Sequence, residues 1–160
     1  RNDDHPDAIV EGLRDSGLEA QRVSNLASAL PSADVISCAT LSVDPLVQGD
    51  LLKPGAHVDL VGAFRPDMRE TDDATVKRCT LFVDTRAGAL QEGGDLVQPL
   101  SAGVIQETDI KADLAELTQG MHPGRKHDEE ITLFKSVGTA IEDLAAAELI
   151  AERLPELQDT

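Results

Sequence analysis

Three short β-branched runs constrain this chain more than any other feature. They are Asp34-Val-Ile-Ser-Cys-Ala-Thr40, Ala56-His-Val-Asp-Leu-Val-Gly62 and Cys79-Thr-Leu-Phe-Val-Asp84. The first is a compact β-rich run, which is how a parallel strand covered on both faces reads, and the other two are read as the next strands of the same sheet. Each ends in small, hydroxyl or acidic residues. Helical patterns separate or flank them: Asp7–Ser16 behind Pro6 and before Gly17, a brief helix capped by Ser24 or Asn25, and Met68–Arg78 with acidic early turns. Strand and helix in alternation predict an α/β protein built on a parallel sheet. Ligands of such sheets bind at the carboxyl ends of the strands.

The remaining elements are predicted with less pattern behind them. Glu19–Val23 reads as a short strand, Arg86–Gln91 as a short helix ended by Gly93-Gly94, and Ile110–Thr118 as another helix stopped by Gly120. Met121–Glu130 is a polar loop, and Ile131–Lys135 a short extended piece. A long alanine-rich helix is expected from Ser136 to about Leu154.

Composition excludes several functions. Thirty Asp+Glu against fourteen Lys+Arg give a net charge of −16. A nucleic-acid partner needs a basic face, and so does an anionic membrane. No apolar run approaches the ~20 residues of a membrane span, and no signal peptide is present. Cys38 and Cys79 stand alone, without zinc spacing or a disulfide framework, and are expected reduced and buried in a cytoplasmic protein. No His/Asp/Glu cluster has metal spacing. With three Phe and neither Trp nor Tyr, the core must be aliphatic. Neither G-x-G-x-x-G nor G-x-x-x-x-G-K-[ST] occurs. Pattern alone leaves two possibilities, a small complete domain or the latter part of a larger one.

Two segments carry a specific resemblance. The first is Pro54-Gly-Ala-His-Val-Asp-Leu-Val-Gly-Ala-Phe-Arg-Pro-Asp-Met-Arg-Glu70 with Asp72-Asp73. The second is Gly124-Arg125, then Glu130-Ile-Thr-Leu-Phe-Lys-Ser-Val-Gly138, then Ala140-Ile-Glu-Asp143. With Ala39-Thr-Leu-Ser42 and Pro45, they resemble the ornithine cyclodeaminase/mu-crystallin family over nearly the whole chain. The resemblance implies a partial Rossmann-type, doubly wound parallel sheet carrying strands 3 to 6. Residues 1–131 belong to this NAD(P)-binding domain. Residues 132–160 form a C-terminal helical segment that returns to an N-terminal dimerisation and substrate domain. Placed on the family pattern, the chain opens on Arg1 at the end of the second Rossmann strand. We therefore expect a fragment, the back half of a two-domain subunit, with strands 1 and 2 of the order 3-2-1-4-5-6 absent between strand 3 (Glu19–Val23) and strand 4 (Asp34–Thr40).

The same resemblance implies residue roles. Arg1 and Asn2 fall where the adenosine ribose lies, and Arg pairs with a 2′-phosphate, which favours NADP(H) over NAD(H). Ala39, Thr40 and Leu41 follow one strand and approach the cofactor ribose. Val61, Gly62 and Ala63 follow the next and line the nicotinamide. Lys135, Ser136 and Val137 reach the nicotinamide from the start of the long helix, where Ser136 is also a natural N-cap. Phe64 stands where cyclodeaminases hold an aspartate, and a phenyl ring transfers no proton. The chain is thus more similar to the ketimine reductase branch, which reduces cyclic imines such as Δ1-pyrroline-2-carboxylate to L-proline, or the six-membered homologue to L-pipecolate. Phe64 is then a wall for the imine ring. Ornithine cyclodeaminase, an alanine-dehydrogenase-type enzyme and a non-catalytic, mu-crystallin-like NADPH binder remain alternatives. The partners implied are a small imino or amino acid and a second copy of the full-length protein.

Overall fold

The computed structural model describes residues 5–158. Arg1 and Asn2 lie outside the described residues. Five parallel strands form one sheet in the order β1-β2-β5-β3-β4: β1 (Val35–Cys38), β2 (His57–Leu60), β3 (Thr80–Val83), β4 (Ile110–Asp113) and β5 (Thr132–Lys135). Because all pairs are parallel, every carboxyl end lies on one edge. The expected parallel α/β sheet is therefore present.

One sheet face carries Val58, Leu60, Leu81, Val83 and Leu133, all buried. Val76 and Leu96 of the covering helices join them in one aliphatic cluster with Val47, Leu52, Ala89 and Ile110. The other face carries His57, Asp59, Thr132, Phe134, Thr80 and Phe82, in register across β2, β5 and β3. It is more polar and less completely covered, although Phe82 is buried and meets the His122 ring edge-on at 5.4 Å. Cys38 and Cys79 are free and buried, and burial pushes their thiols up to about 11 and about 12. Both therefore stay protonated.

The helices follow their caps. α1 (His5–Asp15) ends at Gly17, whose φ of 83° closes the last turn. Its Ile9 and Leu13 are exposed. α2 (Leu26–Ala29) starts at Asn25, whose side chain accepts from the Ala27 N–H at 2.9 Å. α3 covers only Asp73–Arg78, not Met68–Arg78. Asp72 caps it, while the backbone of Arg69 and Glu70 is bonded to Ser42 and Asp95 and is not free to join a helix. α4 is Arg86–Ala89.

Five further expectations need correction. Glu19–Val23 is not a strand in this structure. Ile110–Thr118 is not one helix but β4 followed by α6 (Leu114–Thr118). Buried Ile110 and Ala112 alternate with exposed Lys111, and Asp113 with Glu116 forms a reciprocal capping box that starts the helix only there. Gly93-Gly94 ends no helix but opens α5 (Gly94–Ser101). A side chain at Gly94 has no room against the Met68 and Arg65 carbonyls, so glycine serves close packing here. The long helix α7 (Ala140–Gln158) begins at Ala140, not Ser136, which is not its N-cap. The segment 132–160, in turn, begins inside the sheet, because β5 hydrogen-bonds between β2 and β3.

Candidate cofactor-facing edge

The loops that leave β1, β2 and β5 meet at the carboxyl edge. Parallel pairing continues past the strands, with the Val61 N–H donating to the Cys38 carbonyl at 2.8 Å and Ala63 N–H to Thr40 at 3.2 Å. Ser136 N–H donates to the Leu60 carbonyl at 2.9 Å. Ala39–Leu41, Val61–Phe64 and Ser136–Val137 are thereby neighbours. Leu41, Val61 and Phe64 expose much of their apolar surface there, Leu41 68 %, Val61 49 % and Phe64 45 %.

Backbone strain sits in the middle of this edge. Ala63 is fully buried with φ of 46°, a left-handed conformation that an L side chain rarely adopts. Gly62 before it has no room for a Cβ, which would fall on Glu70 Oε1 and the Thr40 backbone.

Beneath the exposed loops lies a layer of buried charge. Lys135 points inward and is fully buried, so its ammonium does not face a cofactor directly, as its expected role assumed. It donates to the Gly62 carbonyl and lies 3.6 Å from Asp95 Oδ2. Burial pushes its ammonium below the ordinary lysine value, and the Asp95 and Glu70 carboxylates push back. Asp95 Oδ1 accepts from the Glu70 and Thr71 N–H groups at 2.8 and 2.9 Å, and Glu70 Oε1 accepts from Thr40 N–H at 2.6 Å. A second carboxylate, Asp84 at the end of β3, holds the last loop. Its Oδ2 accepts from the Ser136 hydroxyl at 3.0 Å and from the Val137 and Gly138 N–H groups, both at 2.8 Å.

Sequence reasoning missed Asp84 and Asp95 as site supports and assigned Glu70 to a helix terminus. The signal available was an acidic residue directly ending a buried apolar run, Val83-Asp84, and another behind the glycine pair, Gly94-Asp95. Three residues after Phe64, the exposed Asp67 is held by Arg65 through two hydrogen bonds of 3.0 and 2.7 Å. That pairing keeps the Asp67 carboxyl below its usual value and ionised. Among the described residues no group of three or more His, Cys, Asp and Glu is arranged to hold a metal ion, and no helix is long and apolar enough to cross a membrane.

Comparison with known proteins follows the same line. The Δ1-pyrroline-2-carboxylate reductase of Paracoccus denitrificans is 42% identical over 145 residues, covering 89% of this chain and 45% of that protein. Ketimine reductase mu-crystallin of Macropus fuliginosus is 42% identical over 127 residues, covering 79% of this chain and 38% of that protein. The structure of Thermococcus litoralis Δ1-pyrroline-2-carboxylate reductase in complex with NADH and L-proline superposes with a TM-score of 0.92 at 38% identity, covering 98% of this chain and 49% of that one. The chain thus spans half or less of the length of these relatives. The model of the ornithine cyclodeaminase/mu-crystallin family matches residues 1–158, and the chain belongs to that family.

Proposed function

We propose that this chain supplies the nicotinamide-facing half of an NAD(P)H-dependent reductase of cyclic imino acids. The substrate class is Δ1-pyrroline-2-carboxylate or its six-membered homologue, reduced to L-proline or L-pipecolate. The observation that carries this reading is Phe64. It stands exposed at the carboxyl edge, at the position where the family resemblance puts an aspartate in cyclodeaminases, and the next acid along the chain, Asp67, is bound to Arg65. A phenyl ring in place of that acid fits reduction of a C=N bond, in which the cofactor supplies the hydride, better than release of ammonia.

The edge also fits a nicotinamide cofactor. Its upper surface is apolar side chain and backbone, from Leu41, Val61 and Phe64, and its charges are tucked underneath. The cofactor, when bound, supplies the reducing equivalent for the imine carbon. The chain's own residues do the rest. Ala39–Leu41 and Val61–Ala63 shape the seat of the cofactor, Ser136 and Val137 close it under the control of Asp84, and Phe64 orients the imine ring and excludes water from one side.

Arg1 supports NADP(H) in preference to NAD(H), because a guanidinium pairs with a 2′-phosphate. NADH in the Thermococcus litoralis structure supports the other choice. The whole protein is proposed to be a cytoplasmic homodimer with neither nucleic acid nor membrane as partner; the charge of −16 on these 160 residues supports the last two points. The test is steady-state kinetics of the protein expressed from its whole reading frame. We expect NADPH oxidation with Δ1-pyrroline-2-carboxylate, faster than with NADH, and no ammonia from ornithine. Ammonia release without imine reduction overturns the activity, and a higher kcat/KM for NADH overturns the cofactor choice.

A further inference from the structure

Lys135, Glu70 and Asp95 are all fully buried, yet they come from three separate segments: the end of β5, the turn before α3 and the first turn of α5. Together they hold two loops of the edge by the backbone. Glu70 takes the Thr40 N–H, and Lys135 takes the Gly62 carbonyl. Asp95 joins the two grips, accepting from the Glu70 N–H and lying 3.6 Å from the Lys135 ammonium. Glu70 Oε2 and Asp95 Oδ2 make no hydrogen bond among the described residues. Burying three charges is an expensive way to glue elements together, and well-packed apolar residues generally do it as well or better. What an ammonium does and a methyl group does not is hold a carbonyl in one orientation. That carbonyl belongs to Gly62, next to Ala63, whose strained φ of 46° persists only if its neighbours impose it.

We infer that Lys135 is a positioning residue: held by Asp95, it fixes the Gly62 carbonyl from below and so sets the Val61–Ala63 peptide planes that face the nicotinamide. This rests on the reductase reading. Lys135 touches neither cofactor nor substrate, and acts through Gly62 alone. Gly62 belongs to the loop that the resemblance gives to the nicotinamide, so removing Lys135 should affect turnover more than cofactor affinity.

The experiment uses the protein expressed from its whole reading frame and compares two double variants, D95N/K135Q and D95N/K135M. Both remove the buried ion pair, and only the first keeps a donor toward Gly62. We expect D95N/K135M to reduce Δ1-pyrroline-2-carboxylate at least tenfold more slowly in kcat than D95N/K135Q. The dinucleotide KM should differ less than threefold and inhibition by ADP-ribose should be equal. The single variant K135M, where it folds, should match the slower double variant. Equal kcat for the two double variants overturns the inference, as does an equal loss of affinity for dinucleotide and ADP-ribose. If the wild type reduces no imine, the proposed function fails while this inference is still decided. Bound NADH fluorescence in D95N/K135M should then move toward that of free NADH, with D95N/K135Q resembling the wild type. Identical spectra for the two variants overturn it.

Discussion

Gly62 has no room for a side chain at the carboxyl edge. A Cβ there meets the Thr40 backbone on one side and Glu70 Oε1 on the other, and Thr40 is itself tied to Glu70. Backbone cannot rotate away as a flexible side chain can. Gly62→Ala should therefore cost about 1–3 kcal/mol, as overpacking generally does, and lower turnover by displacing Val61 and Ala63. A denaturant midpoint and kcat equal to wild type contradict this. His57 offers a pH-dependent prediction on the opposite sheet face. Its Nδ1 lies 2.8 Å from Thr132 Oγ1, and burial pushes the ring below the ordinary histidine value, with Asp59 opposing and Arg125 reinforcing. Protonation is thus easier in the unfolded chain. The corresponding stability is present above the ordinary value of about 6.5 and is lost as pH falls toward the lowered folded value. Urea midpoints at pH 7.5 and 5.5 should fall further for wild type than for His57→Gln. Equal falls would remove His57 from the argument.

The loop from Ser136 to Gly138 is held as a unit by Asp84, which collects three of its donors on one oxygen and is itself buried. Asp84→Ala leaves these donors without their acceptor, at roughly 1–3 kcal/mol for each group kept from water. We expect a loss of several-fold in cofactor affinity together with a lower melting temperature, measured by dinucleotide titration and thermal unfolding. Unchanged affinity places the loop away from the cofactor. The strands that carry this edge were legible because β1, β2 and β3 are short runs rich in β-branched and aliphatic residues, bounded by turn residues. β4 was not, since Ile110-Lys-Ala-Asp113 runs into Leu-Ala-Glu-Leu117 without a breaker, and its composition favours helix. Only pairing with β3, a non-local event, makes it a strand. Glu19–Val23 failed in the reverse direction. Its local composition allowed a strand, but no partner strand lies beside it among the described residues. The loop positions at Thr40, Gly62 and Val137 were named as candidates through family resemblance, whereas the side chains that hold those loops were not named. Glu70, Asp84 and Asp95 act through backbone groups distant in sequence, and no local pattern encodes that.

At the scale of the molecule, aliphatic surface and charge oppose each other. β1 is an edge strand with Val35 64 % exposed, and α7 exposes Ile141, Leu144, Leu149, Ile150 and Leu154, each by at least 45 %. Monomers seldom leave so much large apolar side chain on one edge and one helix, and an unpaired edge adds free backbone donors and acceptors. Against this stands a net charge of −16, which repels copies of the chain from one another. The repulsion is long-ranged and the apolar attraction is not, so salt decides between them. The Debye length falls from about 10 Å at ~0.1 M salt to about 3 Å at ~1 M, short enough to let apolar faces meet. The 160-residue chain expressed by itself should therefore bind a hydrophobic dye at low salt, and its mass by sedimentation equilibrium should rise as salt is added. If charge contributed nothing, the mass would be insensitive to salt. If the exposed aliphatic faces contributed nothing, the chain would stay monomeric at every salt concentration and bind no dye. Either result would contradict the balance drawn here. A rise that disappears when Ile141 and Leu144 are both changed to Ser would assign the attraction to α7, whereas a rise that persists in that variant assigns it to the edge at β1.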